Sequence, residues 1–266
     1  MKTVRGFKIW QILYPIGIYY VTSSVAYFIL QLMFGAENET YMFRQMLAAA
    51  ATIPFVYSFY RQDKIAWKIV YGEKEKQSLM QQIKEILFAI LPAATLGISV
   101  NNLIAMTPLI KASDGFRQAN TAFFAGGVIY ELLGSCLVIP IAEELLFRGV
   151  VYKRLRMLFG IAPAVCLSAV LFGILHVNLV QLLYAAIFGL LLAFLVEKTG
   201  KLSCAIIGHI TANVVAVVRS ETGWLDFSYE ADVKGIGFTI LMTAVSVVLI
   251  RYLYREWRNS LAESKM

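Results

Sequence analysis

Apolar residues form long runs along this chain, separated by short polar gaps. A crossing of the hydrocarbon core takes about 20 apolar residues. Segments 9–33, 43–60, 86–106, 121–142, 158–176, 179–196, 203–219 and 235–253 fit that length. The pattern predicts about eight transmembrane helices and hence an all-α polytopic membrane protein. Pro54, Pro92 and Pro140 fall within these segments. Membrane helices tolerate proline, and Pro92 and Pro140 are expected kinks. The first apolar run, Ile9 to Phe34, is too long for a signal-peptide core and lacks an obvious small-residue cleavage site. It reads as a retained first span.

Composition agrees: 266 residues, 59% hydrophobic and 15% charged with mean hydropathy +0.68, are far from an ordinary soluble domain. Charge then orients the spans, because Lys and Arg accumulate in short cytoplasmic loops. Eighteen of the 24 basic residues fall on one side: Lys2, Arg5, Lys8; Arg61, Lys64, Lys68, Lys74, Lys76, Lys84; Lys153, Arg154, Arg156; Lys198, Lys201; and Arg251, Arg255, Arg258, Lys265. Eight spans with both termini cytoplasmic fit this count. The net charge of +7 then reflects topology and anionic lipid, with no need for nucleic acid. Cys136, Cys166 and Cys204 lie in apolar stretches without C-x-x-C spacing, so free buried thiols are expected. Residues 62–85 form the only sizeable cytoplasmic connection, a helix-compatible connector.

Against this background Ile139 to Arg156 stands out, because it places Glu143, Glu144 and Arg148 beside apolar runs. Charge at membrane depth costs roughly 2.5 to 3.5 kcal/mol, so adjacent carboxylates call for a partner or a purpose. On a helix Glu144 and Arg148 pair at i, i+4, while Glu143 points about 100° away and stays free for chemistry. Glu131 reads as interfacial or paired. The only two histidines, His176 and His209, also fall in predicted spans, and His209 shares a helix face with Asn213. A glutamate and a histidine can hold and deprotonate water, and a ring nitrogen with a carboxamide suits an oxyanion hole. Counting helical rise from the basic clusters puts Glu143 about 15 Å, His209 about 12 Å and Asn213 about 18 Å from the cytoplasmic end. His176 falls at about 20 Å if its span starts near Pro163. Entry from the membrane or the cytosol is therefore expected.

Three motifs carry a resemblance: E-E-x-x-x-R from Glu143-Glu144 through Arg148, F-x-x-x-H from Phe172 through His176, and H-x-x-x-N from His209 through Asn213. Together, over about Thr121 to Val218, they resemble the signatures of the CAAX protease and bacteriocin-processing family, also called Abi. The resemblance implies an intramembrane endopeptidase with a helical bundle like that of the CAAX prenyl protease, and with the depths above it favours entry from the membrane or the cytosol. It makes Glu143 the general base aided by His176, and His209 and Asn213 the oxyanion holders. Glu144 and Arg148 are then structural or substrate-binding, and Phe172 packs near the catalytic water. The expected organisation is 1–120 as N-terminal transmembrane helices and connector, 121–219 as the catalytic core, and 220–266 as outer loop, last helix and cytoplasmic tail. A chain this short resembles the bacterial branch, linked to peptide maturation, secretion, quorum signalling or bacteriocin self-immunity. Prenylated substrates are not expected, and a bacterial plasma membrane is the expected location. The substrate is a peptide or membrane-associated protein.

Two histidines and a glutamate also satisfy a catalytic zinc site. Without an H-E-x-x-H motif the preferred reading is metal-free, with zinc on Glu143, His176 and His209 as the alternative. Two other classes compete with the peptidase: a non-catalytic membrane partner or immunity protein acting by binding, and a proton-coupled carrier. The peptidase reading requires Glu143, His176, His209 and Asn213 to converge on one water-accessible pocket. A carrier requires a polar path to both faces.

Overall fold

The computed structural model describes residues 9–71, 78–176 and 178–263, and all regular elements among them are helical. Lys2, Arg5, Lys8, Lys74, Lys76 and Lys265, with the middle of the connector, lie outside the described residues. Nine principal helices follow in order: α1 Trp10–Phe34, α2 Tyr41–Tyr71, α3 Leu79–Ala105, α4 Asp114–Phe123, α5 Val128–Phe159, α6 Ile161–Ile174, α7 Leu179–Thr199, α8 Leu202–Thr222 and α9 Val233–Glu263. Among the described residues the chain is all-α, with the helices of a multi-pass membrane protein, as expected above.

Each of the eight predicted segments falls on a helix, but length and composition alone assign fewer crossings. Five helices, α1, α3, α7, α8 and α9, are long and apolar enough to span, and the pair α4 and α5, bent by 104°, makes a sixth. Helix α6 has 14 residues. At 1.5 Å per residue that is about 21 Å, short of a hydrocarbon core of about 30 Å.

The fourth segment is displaced from its predicted bounds of 121–142. Its helix begins at Val128, after a break at Gly126 and Gly127. Gly127 has φ of +89°, and a Cβ on Gly126 would lie 2.6 Å from the Glu39 carbonyl oxygen, so both positions need glycine. The helix then runs on to Phe159 through Arg148, Lys153, Arg154 and Arg156. It accommodates three of these charges by pairing them: Arg148 with Glu144, Arg154 with Asp63 and Arg156 with Glu197.

Helix α5 is not uniformly wound. Glu131–Val138 and Leu145–Val151 are π-helical, flanking a short α-helical piece, Ile139–Glu144, that contains Pro140. At Pro140, where sequence predicts a kink, the winding changes. Such π segments gather at functional sites. Helices α6 and α7 close against each other through small residues. A Cβ on Gly173 would meet the Leu182 carbonyl at 2.7 Å, and one on Gly189 would meet Ala169 Cα at 2.8 Å.

Ion pairs gather at one end of the bundle. Arg154 chelates Asp63, Arg156 chelates Glu197, Lys84 and Lys198 share Glu256, and Lys201 meets Glu85. These contacts tie α2, α3, α5, α7, α8 and α9 where the sequence places the cytoplasm. At the opposite end Arg44 donates to the Gly35 carbonyl and to Thr40, bracing the α1–α2 turn.

Candidate active site

The winding of α5 separates the adjacent glutamates. Glu144 is fully buried and its Oε1 accepts from Arg148 Nη1 at 2.9 Å, as the i, i+4 spacing predicts. The Glu143 side chain is 17% exposed and faces a cavity of about 780 Å³. His176, His209, Asn213 and Phe172 line the same cavity, so residues from α5, α6, α8 and the turn after α6 share one wall.

Hydrogen bonds orient both imidazoles. His176 Nδ1 lies 2.8 Å from the Phe172 carbonyl oxygen. A carbonyl can only accept, so Nδ1 carries the proton and Nε2 presents a lone pair. His209 Nδ1 lies 2.9 Å from Glu144 Oε1, and its Nε2 lies 3.8 Å from Glu143 Oε2. Glu144 already accepts from a guanidinium, so Nδ1 of His209 donates to it as well. The residue that sequence pairs only with Arg148 thus also steers a histidine 65 positions away. Separations beyond 3.5 Å are too long for a direct hydrogen bond, and 3.8 Å from Nε2 to Glu143 leaves space between two polar groups.

Asn213 Nδ2 donates to the Ser135 carbonyl at 2.7 Å. That carbonyl belongs to the first π segment of α5. One amide N–H of Asn213 is thereby anchored, and its second remains for another acceptor.

Phe172 sits at the centre of the aromatic packing. Its ring lies edge-to-face against His176 at 4.8 Å, against His209 at 5.9 Å and against Phe147 at 4.9 Å, with the Arg148 guanidinium 4.4 Å from its centroid. It therefore fixes the planes of both imidazoles while covering the cation that holds Glu144.

Ser135 and Tyr184 were not singled out by sequence. Both line the cavity, and the Tyr184 hydroxyl is buried without a hydrogen-bond partner among the described residues. Glu131, expected to be interfacial or paired, is fully buried, and neither carboxyl oxygen has a hydrogen-bond partner among the described residues.

Both histidines donate from Nδ1, which leaves Nε2 as the ring atom able to reach a ligand, and among the described residues no three His, Cys, Asp or Glu side chains group to hold an ion. Glu143, His176 and His209 share the cavity without that convergence, so no step is routed through zinc. The cysteines are free: Cys136 and Cys204 are buried as expected, whereas Cys166 is exposed on the bundle surface.

Comparison with known proteins bears on the same segment. Residues 125–215 match the type II CAAX prenyl endopeptidase Rce1-like family. A Bacillus subtilis (strain 168) protein described by name as a membrane peptidase, YdiL, is 32% identical over 87 residues, covering 33% of this chain and 36% of that protein. Human CAAX prenyl protease 2 is 24% identical over 179 residues, covering 56% of this chain and 54% of that protein. The chain thus spans between about a third and about half of the curated relatives it matches. No solved structure matches.

Proposed function

We propose, from the match of residues 125–215 to the type II CAAX prenyl endopeptidase Rce1-like family, that this chain is a membrane-embedded endopeptidase using glutamate-activated water. The observation that carries this reading is the shared cavity wall of Glu143, His176, His209 and Asn213, with three of the four side chains oriented by hydrogen bonds to other groups.

In this mechanism Glu143 takes a proton from a water held against the His176 Nε2 lone pair, and the water oxygen adds to the scissile carbonyl. His209 Nε2 and the free N–H of Asn213 donate to the resulting oxyanion, a role worth about 3 to 4 kcal/mol per donor. Collapse of the intermediate breaks the C–N bond, and Glu143 passes the proton to the departing amine. For His209 to donate from Nε2 while Nδ1 donates to Glu144, both ring nitrogens must be protonated. The charges then balance: two carboxylates, one guanidinium and one imidazolium. Glu144 and Arg148 are positioning residues in this scheme.

The substrate is a peptide or membrane-associated protein, in peptide maturation, secretion or bacteriocin self-immunity, and catalysis is metal-free. The chain sits in a bacterial plasma membrane with both termini cytoplasmic. The test is to incubate purified protein in detergent with the host's small secreted and membrane peptides, with and without a chelator, and to read products by mass spectrometry. Chelator-insensitive cleavage is expected. Chelator-sensitive cleavage moves the mechanism to a metal, and an intact peptide retained without cleavage replaces the peptidase by a binding partner.

A further inference from the structure

Among the described residues the cavity is backed by buried side chains toward the cation-rich end of the bundle and lined by helix ends toward the other. On the cation-rich side Leu146, Phe147, Val150 and Val151 of α5 and Leu192 and Leu195 of α7 are all at most 1% exposed. The Arg154–Asp63 and Arg156–Glu197 pairs lie beyond them along α5. On the other side the walls are Tyr41 and Gln45 from the start of α2, Ile104 and Ala105 from the end of α3, Gln181 from the start of α7 and Ser220 near the end of α8. Helix α4, bent 104° from α5, lies at this mouth and lines it with Phe116, Ala119 and Phe123, which recur on one helical face.

The sequence expectation of cytosolic or membrane entry rested on depth from the basic clusters and on the family resemblance. Depth locates the groups but does not say which side is packed shut. Short loops rich in Lys and Arg stay in the cytoplasm. The mouth then opens on the extracytoplasmic face.

The lining also selects by charge. It contains no Lys or Arg, and its acids are Glu143 and Asp226. An anionic segment would meet Glu143 and Asp226 with no lysine or arginine in the lining, and the one cation there, the His209 imidazolium of the proposed mechanism, lies 3.8 Å from Glu143 and is offset by it. Tyr184 and Phe188 stack at 4.8 Å on the wall, and with Phe116 and Phe123 they give apolar side chains a surface. Ser220 lies seven residues along α8 from Asn213, about 10 Å, which about three residues of extended chain would span.

We infer that the site is loaded from the extracytoplasmic face by an extended, neutral or cationic peptide segment with apolar side chains, as an exported peptide would present. This deepens the peptidase reading and rests on it for the chemistry, while the direction of access stands on packing and charge.

The experiment uses the full chain with Cys136, Cys166 and Cys204 changed to Ala. Single cysteines are introduced as Ser220→Cys at the mouth, Ala216→Cys on the cavity wall and Arg258→Cys at the cation-rich end. Intact bacterial cells are treated with a membrane-impermeant maleimide. Labelling of Ser220→Cys and Ala216→Cys without permeabilisation, and of Arg258→Cys only after it, is expected. Labelling of the first two only after permeabilisation overturns the inference, as does labelling of Arg258→Cys in intact cells. Ser220→Cys is exposed in the fold and serves if Ala216→Cys does not fold.

Neutral, cationic and acidic versions of one apolar peptide then compete for the Ala216→Cys label. At least tenfold weaker protection by the acidic version is expected, and equal protection removes the charge selection. Labelling requires no turnover and is repeated in a Glu143→Gln background. Failure of the peptidase chemistry and failure of the access direction are therefore read separately.

Discussion

At one end of this bundle cations meet carboxylates on other helices; at the other the buried arginines Arg44 and Arg219 meet neutral oxygens. Asp63 and Arg154 are 6% and 3% exposed and joined at 2.7 Å, linking α2 to α5. At the opposite end Arg219, fully buried, donates at 2.8 Å to both the Asn102 carboxamide and the Ser228 hydroxyl, beneath the Tyr229 ring. Among the described residues charge pairs between helices accompany buried packing at the cation-rich end, and the cavity's lining lies toward the other. The neutral-liganded end fixes its own loops and leaves a mouth beside them. The difference teaches that the charges in this sequence do two jobs: most hold helices together, and Glu143 faces the space the other end leaves open.

Breaking the closed end should cost stability and spare chemistry. Arg154→Leu strands Asp63 as a buried unpaired carboxylate, a change worth about 3 to 5 kcal/mol. Thermal unfolding in detergent should show a large drop in midpoint, with cleavage per folded molecule retained. The reverse is expected in the cavity. Asn213→Ala removes an oxyanion donor and should lower kcat by about 100- to 1000-fold, with unfolding little changed; peptide turnover per folded molecule checks it.

Smaller changes sharpen the contrast. Gly189→Ala places a methyl 2.8 Å from Ala169 Cα and 3.1 Å from Arg148 Nη2, so α6 and α7 must separate. Overpacking of this kind costs about 1 to 3 kcal/mol and should lower the unfolding midpoint moderately. Lys84→Ala, at a side chain 50% exposed whose partner Glu256 keeps Lys198, should change stability by at most about 1 kcal/mol. A midpoint indistinguishable from wild type is the expected reading.

The helices were legible because apolar length alone marks a membrane crossing, and Glu144–Arg148 was legible because i, i+4 neighbours meet on any helix. What escaped the sequence depends on contacts between distant segments. The π winding of α5, the donation of His209 to Glu144 and that of Asn213 to Ser135 join positions with no local signature. The break before α5 had a signal in Gly126-Gly127, masked by the apolar character on both sides. Glu131 read as interfacial or paired because it lay nearer the outer face, yet α2 and α8 pack against its π segment and bury it. Depth along each helix was readable from sequence, and which end was packed shut was not.

The contrast between neighbours 143 and 144 is the central claim, and cleavage rate per folded molecule in Glu143→Gln tests it most directly. The amide is nearly isosteric and faces the cavity outside the Glu144–Arg148 pair, so the variant should fold like wild type while cleavage falls by at least about 100-fold. Cleavage at the wild-type rate by folded Glu143→Gln would contradict the account.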